Sequence, residues 1–434
     1  MSPTSPNIVM VSIDSLRGDH CGYLGDDREL TPTMDTLGAD GVAFENAIAP
    51  GPQTFSSMPA IFTGQPRPPT LLTEYPQEHE WGRRMAAIDG HLRRHATLPD
   101  QLRELGYDTA GVTPNPWTST ASGFDRGFDH FEDFSSEASG ERTRKIEAFI
   151  PGIAASSRPV GLVLNLLSGT DFFSQWESLY GVIERTREKL SEPYFLWVFI
   201  LDTHFPFLTS RAHRTEQSLL GGYYSAFRSS EPMRGNGGTM SDRTRESLKR
   251  SYRDTVRASD AFLGQLRSDL AADDPVFIVH SDHGESFGEH DNYGHHHRTV
   301  YEENVHVPYV VHNADVTADI SAPTSLTTVY ETTMTIARNG TFAPADAPDS
   351  YAITSSECGT KRAVRGPRFK YHHLKDERFL FDIESDPDET VDLSGDYPEL
   401  CRRFEDQLAR FDGNTSEVDE VSRATRELAS LGTL

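Results

Sequence analysis

The chemistry of this chain is concentrated where apolar runs end in acids. Val276-Phe-Ile-Val-His-Ser leads into Asp282, His283, Gly284 and Glu285. A short β-branched run of this kind reads as a buried strand. A carboxylate and an imidazole that leave one strand end together suit a divalent cation. In open α/β sheets, ligands bind at the carboxyl ends of the strands. The first apolar run, Asn7 to Ile13, ends the same way in Asp14, with Ser15, Arg17 and Asp19 close behind. Standing alone, an Asp-His pair is more often a solvated turn; a second strand ending in an acid shifts the balance toward a site.

A third segment supplies a hydroxyl. Ala49-Pro-Gly-Pro-Gln-Thr54 is a Pro/Gly loop that runs into a helix-like stretch near 56–63, closed by Gly64. Helix N-termini carry unsatisfied N–H groups and partial positive charge, so they stabilise alkoxides and oxyanions. Asp14, Thr54, Asp282 and His283 are therefore candidate ligands of one divalent cation, which would lower the hydroxyl pKa and make Thr54 a nucleophile. Ca²⁺, Mg²⁺ or Mn²⁺ fit oxygen-rich ligation, and Zn²⁺ also suits the histidine. Ser56 and Ser57 are rival hydroxyls that read as helix caps instead.

Taken together, the segments resemble the sulfatase branch of the alkaline-phosphatase superfamily along nearly the whole chain. Asp14-Ser-Leu-Arg17-Gly-Asp19 resembles the first metal-binding motif, and Thr54 through Thr63-Gly64 the nucleophile motif. Leu105-Gly-Tyr-Asp-Thr-Ala-Gly111, Gly127-Phe-Asp129 and Phe199-Ile-Leu-Asp202-Thr-His204-Phe-Pro206 follow in family order. So do Asp282-His283-Gly-Glu285, Tyr301-Glu302-Glu303 to Val307-Pro308, and the strand block from Arg362 to Glu389. The resemblance implies an alkaline-phosphatase-like three-layer sandwich with a mostly parallel central sheet. It also implies a small C-terminal antiparallel-sheet subdomain. It gives His204 a contact with the substrate anion. Counting back from Tyr301, it gives His296 the position near the leaving-group oxygen, with His297 one step off. His280 and His290 read as structural or solvent-facing. Arg17 reads as site wall and substrate contact, or equally as the ion-pair partner of Asp19.

The departures are informative. The family's nucleophile is a cysteine or serine, oxidised to formylglycine within a Cys/Ser-x-Pro-x-Arg pattern. Aligned on Thr63-Gly64, these positions hold Thr54, Ser56 and Met58. Oxidising a threonine carbinol gives a ketone and not an aldehyde, so no formylglycine is expected. Ser15 stands in place of the family's second acid. Both features resemble the phosphotransferase and phosphodiesterase relatives, in which threonine binds metal and forms a phospho-enzyme.

Composition bounds the partners. The 434 residues carry a formal charge of −25 and only six lysines. That excludes a basic nucleic-acid footprint and resembles the surface of proteins from high-salt cytoplasm, where screening tolerates self-repulsion. Three cysteines, Cys21, Cys358 and Cys401, make no disulfide framework. The N-terminus lacks a basic region followed by an apolar run, and the longest apolar stretch outside strands, Val160–Leu167, is too short to span a bilayer. The expectation is a soluble, cytoplasmic protein.

The elements that must position these residues alternate. Strands are expected near 7–13, 107–113, 194–201, 276–281 and 307–312, with helices near 32–40, 56–63, 97–105, 242–272 and 326–338. This order predicts a mostly parallel sheet covered on both faces. The apolar stripe Leu248, Tyr252, Val256, Phe262, Leu263, Leu266 and Leu270 makes 242–272 a core-facing helix. The expected organisation is a catalytic α/β domain over 1–345, with an insertion over 134–190 beside the site. An α+β subdomain over 346–434 follows, with a helix at 399–411. The weak apolar stripe of the tail, 417–434, docks on its own chain in this reading, although a second subunit would serve and an oligomer stays open.

Three function classes follow. The first is a metal-dependent hydrolase cleaving a sulfate or phosphate ester of a small molecule or glycan, with Thr54 attacking in line and a histidine protonating the leaving group. The second is a phosphotransferase moving a phosphoryl-linked group to a glycan or other acceptor. The third is a non-catalytic binding protein on the same fold, against which the intact Asp14, Thr54, Asp282 and His283 argue.

Overall fold

The computed structural model describes residues 5–67, 80–134, 175–235, 237–295, 299–342 and 351–412. Most of the expected insertion, the tail beyond 412, and His296 and His297 lie outside these residues.

Among the described residues, eleven strands precede the C-terminal sheet. They are β1 (Ile8–Ile13), β2 (Val42–Phe44), β3 (Ala47–Ile48), β4 (Asp108–Thr113), β5 (His130–Asp133) and β6 (Tyr194–Ile200). β7 (Val276–Ser281), β8 (His306–Val307), β9 (Tyr309–His312), β10 (Ala318–Ile320) and β11 (Thr324–Ser325) follow. The central sheet has the order β10-β2-β9-β7-β1-β6-β4-β5. β1 lies at its middle, paired in parallel with β6 and β7. Only β9 runs against its neighbours β2 and β7. The apolar run expected over 307–312 is divided at Pro308, which has no N–H to give a ladder. β8 therefore pairs with β3 in a three-stranded sheet with β11, and β9 joins the central sheet.

Alternation along each central strand feeds two cores. Ile8 and Met10 of β1, with Phe195, Trp197 and Phe199 of β6, face one side. Val9, Val11 and Ile13, with Leu196, Val198 and Ile200, face the other. The first side is covered by α2 (Thr54–Thr63), α3 (Glu80–Arg94), α4 (Leu98–Glu104) and α9 (Thr328–Asn339). The second is covered by α1 (Pro32–Ala39), α5 (Trp176–Arg187), α6 (Leu219–Met233) and α7 (Asp242–Asp269). This is the three-layer α/β sandwich the sequence predicts. Burying one such Leu or Phe side chain contributes about 1.5–3 kcal/mol, and every member of the expected α7 stripe is buried. Ser241 starts that helix by accepting the Thr244 N–H.

A separate antiparallel sheet, β12 (Ala352–Ser355), β13 (Lys361–Arg365), β14 (Phe369–Leu374) and β15 (Glu377–Asp382), is joined by a helix over 398–412. Phe404 and Leu408 of that helix pack on Val364, Tyr371 and Leu380. Lys370 of β14 is fully buried and reaches back to Glu302 (2.8 Å) and Glu389 (3.2 Å). Glu302 opens the short helix α8 (Glu302–Val305), so the sheet is tied to the strand-end motifs by buried charge.

Candidate active site

β1 and β7 lie in register side by side, Ile13 opposite Ser281. Their next residues, Asp14 and Asp282, therefore leave the sheet together. The ladders continue one step further: the Asp14 N–H donates to the Ile200 carbonyl (3.0 Å), and that of Asp282 to the Ile13 carbonyl (3.3 Å). One ligand atom from each of Asp14, Asp282 and His283 lies within 4.8 Å of the others, all three fully buried. Thr54, at the first turn of α2, brings Oγ1 to 3.3 Å from His283 Nε2. The four residues singled out from separate segments are thus neighbours.

Their hydrogen bonds leave a common centre undersupplied with donors. Asp14 Oδ2 accepts from Asn115 Nδ2 (2.8 Å), and Oδ1 from the Ser15 hydroxyl (2.8 Å). Asp282 Oδ1 accepts the Ser15 and His283 N–H groups (3.2 and 2.9 Å). Asp282 Oδ2 is buried and has no hydrogen-bond partner. His283 Nδ1 sits 2.8 Å from the Gly284 carbonyl. That contact fixes the proton on Nδ1 and leaves Nε2 with a lone pair. Nε2 is 3.6 Å from Asp14 Oδ1 and 3.7 Å from Asp282 Oδ2. Two carboxylates, an imidazole lone pair and a hydroxyl around one point, with a buried oxygen unpaired, fit a divalent cation.

The electrostatics agree. Burial, then the charge of Asp282, raises the Asp14 pKa. Burial pushes Asp282 up to about 7, against the nearby Thr54 hydroxyl, the Ser15 and His283 N–H groups and the charge of His204. Burial also lowers His283 and lifts Glu285 to about 8. Two buried acids that resist ionisation together await positive charge.

The supporting shell explains several motif residues. Ser15 adopts φ 59°, a left-handed conformation that aims its N–H at Asp282 and its hydroxyl at Asp14. The Tyr252 hydroxyl of α7 donates to the Ser15 carbonyl and accepts the Arg17 N–H. Gly284 runs so close to the Glu303 carbonyl that a Cβ would lie 2.1 Å from it. This is the glycine that lets Asp282–Glu285 pair with Glu303 and Asn304 through backbone bonds. Arg17 is engaged by Asp19 (2.6 Å), Glu289 (3.0 Å) and the Glu285 carbonyl. His280 is buried against Ser12, and His290 stacks on Tyr301. Ser56 and Ser57 do not cap α2. The N-cap is Gln53, and the Ser56 hydroxyl donates to its carbonyl because residue 56 already lies inside the first turn.

His204 follows β6 and holds Nδ1 2.8 Å from the Phe205 carbonyl. Burial alone would lower its pKa; the charges of Asp14, Glu285 and Asp282 outweigh this and raise it. His295 stands between the two histidines, its ring 5.3 Å from His204 and 4.6 Å from His283, with Nδ1 3.1 Å from Glu285. Sequence reasoning passed over His295 because three successive histidines give no sign of which one turns inward. It also missed Asn115. The available signal there was position: Asn115 follows β4, at the same carboxyl edge as Asp14 and Asp282.

A family model described as Sulfatase matches residues 6–341. The chain belongs to the sulfatase family of the alkaline-phosphatase superfamily. The arylsulfatase of Clostridium perfringens is 21% identical over 350 residues, covering 71% of this chain and 68% of its own. Arylsulfatase K of Mus musculus is 22% identical over 469 residues, covering 93% and 79%. In fold, the phosphonate monoester hydrolase of Agrobacterium radiobacter superposes with a TM-score of 0.66 at 19% identity, covering 94% of this chain and 96% of that one. Among the described residues no helix is long and apolar enough to cross a membrane.

Proposed function

We propose that this sulfatase-family hydrolase cleaves a sulfate or phosphate ester of a small molecule or glycan by direct attack of unmodified Thr54. The observation that carries the reading is the approach of Thr54 Oγ1 to His283 Nε2 beside two buried carboxylates. Asp14, Thr54, Asp282 and His283 would hold one divalent cation, Ca²⁺, Mg²⁺ or Mn²⁺ by their oxygens, with Zn²⁺ also suited to His283. When bound, such an ion lowers the pKa of a coordinated hydroxyl and neutralises ester oxygens.

The chain's own groups do the rest. Thr54 gives up its hydroxyl proton to solvent, and Oγ1 forms the bond to sulfur or phosphorus as the bond from that centre to the alcohol oxygen breaks in line; the departing oxygen takes a proton from a histidine. His204 and His296 would fill the substrate and proton-donor roles, with Arg17 and His297 as further substrate contacts. Asn115 and Ser15 fix Asp14, while Gly284 and Glu303 fix the Asp282–Glu285 turn. Water then cleaves the Thr54 ester and regenerates the hydroxyl. Threonine at 54 and serine at 15 support phosphoesterase activity at least equal to sulfatase activity. The β-methyl supports chemistry without formylglycine. The acidic composition supports a protein adapted to high salt. Purified protein assayed on paired aryl sulfate and aryl phosphate esters with each metal tests the reading. Intact-mass analysis after rapid acid quench should show one sulfate or phosphate adduct on the Thr54 peptide; turnover with no adduct on that peptide would sink it.

A further inference from the structure

Over its first three turns α6 turns its small residues inward and its large apolar ones outward. Gly222, Ser225, Ala226 and Ser229 are buried. Ser225 Oγ lies 3.5 Å from Ser251 Oγ of α7, and a Cβ on Gly222 would lie 3.8 Å from the same hydroxyl. The other side carries Leu220, 68% exposed, Tyr224 at 59% and Phe227 at 49%, with Leu219 at 44% beside them. Positions 220, 224 and 227 are spaced i, i+4, i+7, so they form one stripe. A surface helix ordinarily turns such a stripe toward the core. Single exposed hydrophobics are normal, whereas a contiguous patch marks an interaction site. Among the described residues, four of the eight exposed large apolar side chains fall within Leu219–Phe227, so this is a patch and not scatter.

Area, charge and symmetry point to one occupant. A large aromatic side chain offers on the order of 150–250 Å² and a leucine somewhat less, so these exposures leave roughly 400 Å² of mostly apolar surface. A standard interface buries about 800 Å² on each partner, roughly 57% of it non-polar. The stripe therefore supplies about the apolar share that one such partner needs. The chain carries a charge of −25, so two copies repel through most of their surface, and an anionic lipid surface repels either. Residues 205–235 are an exception, with Arg211, Arg214, Arg228 and Arg234 against Glu216 and Glu231. Two copies meet here without setting acid on acid. A helical stripe is also self-complementary: across a two-fold axis normal to α6 the copies run antiparallel, and each stripe meets its own like. Tyr224 of one copy then lies against Phe227 of the other, an aromatic pair formed twice.

We infer that the outer face of α6 is the two-fold interface of a homodimer, with Leu220, Tyr224 and Phe227 at its centre. The inference does not depend on the chemistry at Thr54.

Analytical ultracentrifugation of the full chain over a hundredfold concentration range tests it, in molar KCl so that the general repulsion is screened. The unsubstituted chain should sediment at twice the chain mass. The double variant Tyr224→Glu, Phe227→Glu should raise the dimer dissociation constant at least a hundredfold, with its circular dichroism unchanged. Leu105→Glu, on the exposed end of α4 and so on the opposite layer, should leave the dimer within twofold. If the double variant fails to fold, Leu220→Arg, at the most exposed position of the stripe, decides by the same measurement. A chain that stays monomeric throughout overturns the inference, whether another part of the chain covers the stripe or the monomer floats with phosphatidylcholine vesicles. A dimer that persists in the folded stripe variants places the interface elsewhere and overturns it too, as does a dimer that Leu105→Glu dissociates equally.

Discussion

Asn115 Nδ2 lies 2.8 Å from Asp14 Oδ2, joining the ends of β4 and β1 across the intervening β6. The Asn115 Oδ1 is itself fixed by the Trp117 N–H at 2.8 Å, so the amide cannot flip without losing both bonds. A neutral donor at this point orients Asp14 without adding charge to a centre that already holds two buried carboxylates. Asn115→Ala should weaken divalent-cation binding on the order of 10–100-fold, as loss of an orienting partner does, with the far-UV spectrum retained. Manganese titration followed by electron paramagnetic resonance measures this; an unchanged affinity would remove Asn115 from the site.

Thr54 separates the candidate chemistries. Thr54→Ala should lose most turnover, because it deletes both a ligand and the covalent step. Thr54→Ser should keep a measurable part. Ser56→Ala removes only the bond to the Gln53 carbonyl, and Ser57 Oγ is buried with no partner. Each should therefore leave turnover nearly intact, at a stability cost of no more than about 1 kcal/mol. Steady-state kinetics of the four variants decide the matter. Activity kept in Thr54→Ala and lost in Ser57→Ala would move the nucleophile.

Metal removal should expose a pH dependence. In the chelated protein the pKa of Asp282 is raised to about 7 and that of Glu285 to about 8. Unfolded, both ionise at about 4. Between those limits the folded state binds more protons than the unfolded one, so stability falls as pH rises from about 4 to about 8. A bound divalent cation opposes the ionisation cost, so its thermal shift should grow over the same range. Melting temperature with and without chelator across this range checks the sign; a metal-induced shift that shrinks as pH rises contradicts it.

Lys370 should matter far more than its distance from the chemistry suggests. It is fully buried between Glu302 and Glu389. Despite burial, its charge holds both carboxyls below their ordinary pKa values. Their stabilising contribution is present above about 4.5, the unfolded value, and is lost as pH falls through the lowered folded values. Lys370→Met removes the cation the two buried acids share, leaving Glu302 with Arg365 at 3.4 Å and Glu389 with His372 at 2.8 Å, and should cost about 3–5 kcal/mol, read by urea denaturation at pH 7. A loss below about 1 kcal/mol would mean that water already reaches the cluster.

A net charge of −25 predicts that melting temperature rises from low salt to molar KCl as self-repulsion is screened. A flat or falling trend removes the high-salt reading.

Much of the site was legible in the sequence because local rules place it there. A buried run that ends in Asp14 or Asp282 must emerge at a sheet edge, and a Pro/Gly loop ahead of Phe55–Thr63 must start a helix at or near Thr54. The seven-residue stripe of α7 is likewise a matter of period and polarity. What these rules lack is lateral order. Only the placement of β1 between β6 and β7 sets Asp14 beside Asp282, and only β4 on the far side of β6 carries Asn115 to Asp14. Pro308 divides the run before β9, but the antiparallel sense of β9 and its partners β2 and β7 were settled by packing. His295 shows the same limit. Among adjacent histidines the type of residue is fixed by the chain. Which one turns inward depends on packing between the turn after β7 and the end of β6, where it meets Glu285, His283 and His204.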